Sequence, residues 1–164
     1  MKRRILNPQL AAVVATLRHG ELLYVGDSGG GIKRGSLYEM HPDVEYIDLE
    51  AVTGSPSFED VIRTLAEAGD FEAAIVAEDM VDENPKDFNM LVEVFGENAV
   101  HQINFAPETY ELRDRCVAMV QTGDIGLHAN AILVAGYAGD PIELDILLGK
   151  KKYTTIPKKN RKNG

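Results

Sequence analysis

Two rhythms of apolar and polar residues alternate along this chain of 164 residues. Short continuous apolar runs at 22–25, 73–77 and 131–135 have the length and composition of buried strands, and 46–49, broken by Asp48, and 100–105, broken by His101, Gln102 and Asn104, also read as strands. Between them the apolar spacing changes to three and four. Leu10, Val13, Val14 and Leu17 follow Asn7-Pro8; Phe58, Val61, Ile62 and Leu65 follow Gly54-Ser55-Pro56-Ser57; Phe88, Leu91, Val92 and Phe95 follow Asn84-Pro85. Asn before Pro is a helix-start signal, because the Asn side chain accepts from free N–H groups and Pro lacks the N–H that the first turn leaves unpaired. A fourth helix is predicted from Pro107 through Tyr110, Arg113, Cys116, Val117 and Val120, closed by Gly123. Strands alternating with helices predict one α/β domain with a mostly parallel sheet.

The pattern ends after Gly136. Residues 142–148 are apolar enough to pack on something, whereas 150–152 and 158–162 are basic and aperiodic. The expected organisation is a single domain over 1–149 and a basic, disordered tail over 150–164. Hydrophobic residues make up 45% and charged residues 26%, an ordinary globular balance with enough apolar material for a core. The net charge of −9 argues against a general nucleic-acid binder. No stretch approaches the roughly 18 apolar residues of a membrane span, and Asn7-Pro8 breaks the start of any signal-peptide core. A cytoplasmic protein is expected, without membrane insertion. One cysteine excludes an internal disulfide framework and a multi-cysteine zinc site. The four histidines are scattered, and no metal-ligand spacing occurs.

The chemistry-bearing stretch surrounds the first strand. His19 ends the first helix, and Asp27 stands just past the strand, at the kind of strand terminus where open α/β sheets bind small molecules. Both are candidates for proton transfer. Gly26-Asp27-Ser28-Gly29-Gly30 also matches the nucleophile motif of trypsin-like proteases, but those enzymes are paired β-barrels, and the context here is α/β. Gly26-x4-Gly31 resembles the start of a phosphate-binding loop, yet Ile32 stands where Lys is required. Tyr24 and Cys116 read as core, and Glu78 and Asp79 as a solvated helix start.

Several blocks in order resemble the D-ribose pyranase / L-fucose mutarotase family. They are Asn7 through the Leu17-x-His19-Gly20 helix end, the strand leading to Asp27, Ile47-Asp48-Leu49, Gly54 to Phe58, Glu72 to Met80 with Asn84-Pro85, Thr122-Gly123-Asp124, and Ala129 to Gly136. The resemblance implies a three-layer α/β/α domain that assembles into a ring, a pentamer or decamer, with the sugar site at subunit junctions. It implies interconversion of cyclic forms of a free monosaccharide such as ribose or fucose, with no cofactor and no metal. It places the catalytic histidine at His19 and sugar-binding residues at Asp27, His128 and Asn130. Ring opening takes a proton from the anomeric hydroxyl and gives one to the ring oxygen, and an imidazole, titrating at about pH 6.5, suits both directions. Two positions depart from the family pattern: His128 stands where Tyr is usual, and Ala106 where a basic residue is usual. His101 or Lys33 could substitute for that cation. The departure at Ala106 motivates the alternative of a non-catalytic monosaccharide-binding accessory or sensor.

Overall fold

A computed structural model of the chain describes residues 2–153. Six strands form one sheet: β1 (Leu22–Gly26), β2 (Glu45–Asp48), β3 (Phe71–Ala77), β4 (Val100–Ile103), β5 (Ala118–Gln121) and β6 (Ala131–Ala135). Their order is β2-β5-β1-β6-β3-β4. The β2–β5, β5–β1 and β3–β4 pairs are parallel, while β6 runs antiparallel to both its neighbours. The helices are α1 (Pro8–Thr16), α2 (Phe58–Ala68), α3 (Met80–Glu83), α4 (Pro85–Phe95), α5 (Tyr110–Arg113) and α6 (Leu144–Leu147). None among the described residues is long and apolar enough to cross a membrane.

The sheet is buried on both faces, and alternation along each strand sorts its side chains into two cores. Leu23 and Val25 join α1, α2 and α4 on one face, where Phe58, Val61, Ile62 and Leu65 of α2 are buried. Burying each such side chain contributes about 1.5–3 kcal/mol. Leu22 and Tyr24 point to the other face, covered by Leu112 of α5, Leu147 of α6 and Val44 from the 27–44 loop. The result is a three-layer α/β/α arrangement with one thick and one thin helical layer.

Both predicted Asn-Pro starts hold: Asn7 Oδ1 accepts from Leu10 N–H at 2.9 Å, and Asn84 Oδ1 from Asp87 N–H at 3.3 Å. The expected helix from Pro107 to Val120 does not form. A wide turn over Phe105–Thr109 leads into the single turn of α5, and Ala118–Gln121 is instead strand β5, between β2 and β1. Cys116 is buried as expected, but in the connection before β5. The apolar 142–148 segment does pack, through Leu147. Of the expected tail, Lys150 and Lys151 pair with Glu108 and Glu143 at 3.0 and 2.6 Å, and residues 154–164 lie outside the described residues.

Candidate active site

The antiparallel course of β6 brings its first residues to the sheet end where β1 and β5 finish. Asp27 follows β1, Gln121 ends β5, and Asn130 precedes β6, so three polar residues distant in sequence converge. Asn130 binds Asp27 twice: its Nδ2 donates to Asp27 Oδ2 at 2.6 Å, and its Oδ1 accepts from Asp27 N–H at 3.1 Å. The Tyr24 hydroxyl donates to the same Oδ1 at 3.1 Å. Gly29 N–H donates to Asp27 Oδ1 at 2.8 Å, and Gln121 Nε2 holds the Asp27 carbonyl at 2.5 Å. Burial raises the Asp27 carboxyl above the ordinary aspartate range, while the bonds from Asn130 and Gly29 pull it back down. Burial likewise pushes the Tyr24 phenol far up, so it stays a neutral donor.

The Thr122-Gly123-Asp124 block locks the loops around this pair. Thr122 Oγ1 donates to the Gly26 carbonyl at 2.9 Å; Asp124 Oδ2 accepts from Phe58 N–H at the start of α2, and its Oδ1 from Gly126 N–H, each at 2.8 Å. Gly123 packs so closely on the 52–55 turn that a Cβ would lie 2.5 Å from the Ser55 carbonyl oxygen.

A cavity of about 420 Å³ opens beside Asp27 and Asn130. Tyr24, Phe105, Tyr110, Arg113 and His128 wall it, with glycines 29–31 along one side. His128 has φ 50°; its ring meets Phe105 edge-on at 4.8 Å, and its Nε2 lies 3.0 Å from Glu83 Oε2. The structure thus gathers Asp27, His128 and Asn130. Ala106 is not on the wall, nor are His101 and Lys33; the cation there is Arg113. Its guanidinium is buried, donates to Asp114 Oδ1 and, at 2.9 Å, to the Gly31 carbonyl, and lies 5.1 Å from the Tyr110 ring centre. In the sequence Arg113 and Tyr110 fall on the face of a longer predicted helix and Phe105 falls in a predicted strand, which hides this wall. A cation and two aromatics beside Pro107 were the available signal.

His19 is not in this cavity. It lies at the opposite end of β1, where Gly20 N–H donates to the Ala135 carbonyl at 2.8 Å. At about 3.4 Å per residue, the five residues of β1 set the two ends roughly 17 Å apart. There His19 Nε2 lies 3.1 Å from Glu72 Oε2, and its ring centre lies 5.9 Å from that of Tyr137. No group of three or more His, Cys, Asp or Glu side chains is gathered to hold a metal ion among the described residues.

A model described as the RbsD / FucU transport protein family matches residues 1–138. The chain belongs to that family. A D-ribose pyranase of Symbiobacterium thermophilum is 36% identical over 135 residues, covering 82% of this chain and 96% of the relative. A D-ribose pyranase of Thermoanaerobacter pseudethanolicus is 33% identical with the same coverage. Among solved structures, Bacillus subtilis RbsD complexed with D-ribose superposes with TM-score 0.72 at 29% identity, covering 85% of this chain and 99% of that one. The Streptococcus pneumoniae fucose mutarotase with L-fucose, at 16% identity and TM-score 0.63, covers 82% of this chain and 95% of that one and shares the RbsD / FucU fold.

Proposed function

We propose that this chain interconverts cyclic forms of a free monosaccharide, with D-ribose the first candidate, and needs neither cofactor nor metal for it. The observation that carries the reading is the Asp27–Asn130 pair on the wall of a cavity, in a family member 36% identical to a D-ribose pyranase. After their mutual bonds these groups keep capacity for a polyol: a second N–H on Asn130 and free lone pairs on the Asp27 carboxylate and the Tyr24 hydroxyl. The aromatic wall suits the apolar faces of a sugar ring, and His128 adds a further polar contact. His19 is assigned the proton transfer, taking the anomeric proton and returning one to the ring oxygen.

His19 and the cavity lie at opposite ends of β1, so a complete site calls for a second copy that brings its His19 to the cavity of the first. Exposed Ile125 and Leu127 at the cavity rim, and exposed Tyr137 beside His19, are surfaces such a contact would cover. A head-to-tail contact of this kind closes into a ring, in keeping with a pentamer or decamer. Residues 1–149 act as one domain in this reading, and the protein works in the cytoplasm.

The test is exchange NMR on ribose, fucose, galactose, arabinose and xylose. Faster exchange between ring forms of one sugar is the expected result. His19→Ala should lower that rate by about 10²–10⁴-fold while fold and assembly remain. Undiminished exchange in the variant overturns the assignment of His19, and broadening without faster exchange for any sugar overturns the enzymatic reading.

A further inference from the structure

We propose that Glu72 is a positioning residue that sets the tautomer and orientation of His19, and that the C-terminal segment beyond the family match holds Glu72 in place. The inference rests on the proton-transfer role of His19 proposed above. β1 and β3 both run antiparallel to β6, which lies between them, so their N-terminal ends share one edge of the sheet. That places Glu72, the second residue of β3, beside His19. The Glu72 side chain is only 8% exposed, and each of its oxygens has a directed partner. Oε2 lies 3.1 Å from His19 Nε2, and Oε1 accepts from Ile142 N–H at 2.8 Å.

Ile142 stands outside the 1–138 span of the family match. Its Cδ1 fills the space beside Gly20, where a Cβ would lie 2.7 Å away, so it touches the chain on either side of His19's position: at Gly20 and at Glu72. The segment is anchored further along by buried Leu147, whose carbonyl accepts from Arg115 Nη1 at 2.7 Å. A stretch of chain past residue 138 thus packs on Gly20 and Glu72, the two neighbours of the residue assigned to the chemistry.

The chemical consequence follows from the hydrogen-bond inventory. An ionised carboxylate only accepts, so a neutral His19 must carry its proton on Nε2. Nδ1, which has no hydrogen-bond partner among the described residues, is then the nitrogen that takes and returns the substrate proton. Glu72→Gln keeps a carbonyl oxygen for Ile142 N–H and turns an amide NH₂ toward His19. The ring must then accept at Nε2 and carry its proton on Nδ1.

The experiment is ¹⁵N NMR of the His19 ring in the full-length protein and in Glu72→Gln, at a pH where each ring's own ¹⁵N titration shows it neutral, with ribose exchange rates measured in parallel. The expected result is an Nε2–H ring in the parent, an Nδ1–H ring in the variant, and turnover at least about tenfold lower with KM nearly unchanged. A parent ring that is Nδ1–H or evenly mixed overturns the inference. So does any variant in which tautomer and turnover do not change together. Should His19→Ala retain turnover, the proposed role of His19 falls, while the tautomer comparison still decides whether Glu72 sets the ring.

Discussion

Asp27 is held in two opposing ways. Burial disfavours its charge, and hydrogen bonds from Asn130 and Gly29 favour it, with burial the larger effect. A carboxyl raised in the folded state contributes stability that is complete below the unfolded value of about 3.9, and that is lost as pH rises through the folded value. Asn130→Ala removes one of the two restraining bonds, so Asp27 should titrate higher still. Stability should then fall further between acid and neutral pH. A ¹³C carboxyl titration with parallel thermal melts checks this; an Asp27 titration that stays put or moves down refutes the assigned balance. Asp27 stood out in the sequence as a polar residue just past a buried strand, whereas Asn130 stood out only through the blocks that resemble the family, and the cavity gathers both. Tyr24 was legible only in part: its ring is core, but its hydroxyl serves Asn130 from 106 positions away. Glu72 was invisible because its partnership with His19 spans 53 positions and depends on which strands share an edge.

At the level of elements, Asn84 ties a helix to the site. Its Oδ1 caps α4, and its Nδ2 donates to Asp87 Oδ2 at 2.8 Å and to the Leu127 carbonyl at 2.9 Å, one residue before His128. Asn84→Ala should cost about 0.5–2 kcal/mol, the usual range for a lost N-cap, and, on the proposed reading, should weaken sugar binding by loosening the turn that leads to His128. Denaturant unfolding and a binding titration measure the two effects; unchanged stability would show that the cap and the bridge are both dispensable. The helices opened by Asn-Pro were legible because cap, proline and apolar face agree there. The stretch from Pro107 to Gly123 was not, because Tyr110, Arg113, Cys116, Val117 and Val120 satisfy helical spacing by coincidence. β5 is buried on every residue, so it has no polar alternation to reveal a strand. That misreading also concealed the cavity wall, since Arg113 and Tyr110 sit on a single turn between two strands.

The whole molecule adds a constraint that no single element carries. β1 has His19 at one end and Asp27 at the other, so its length keeps the proposed acid–base group out of its own cavity. The α/β class was legible from alternating patterns, but the direction of β6 was not, and that direction decides which residues meet at each end of the sheet. If neighbouring copies share a site, His19→Ala and Asp27→Ala remove different halves of it. Each variant alone should be inactive. Unfolded together and reassembled in equal amounts, they should recover about a quarter of parental turnover, because a random neighbour pair supplies an intact His19 half the time and an intact Asp27 half the time. Mixing the two assembled variants without exchange of subunits should recover none. If turnover returned in neither case while the parent survived the same treatment, each chain would have to build its own site, and His19 would have to reach Asp27 by a rearrangement of β1 that the six-stranded sheet opposes.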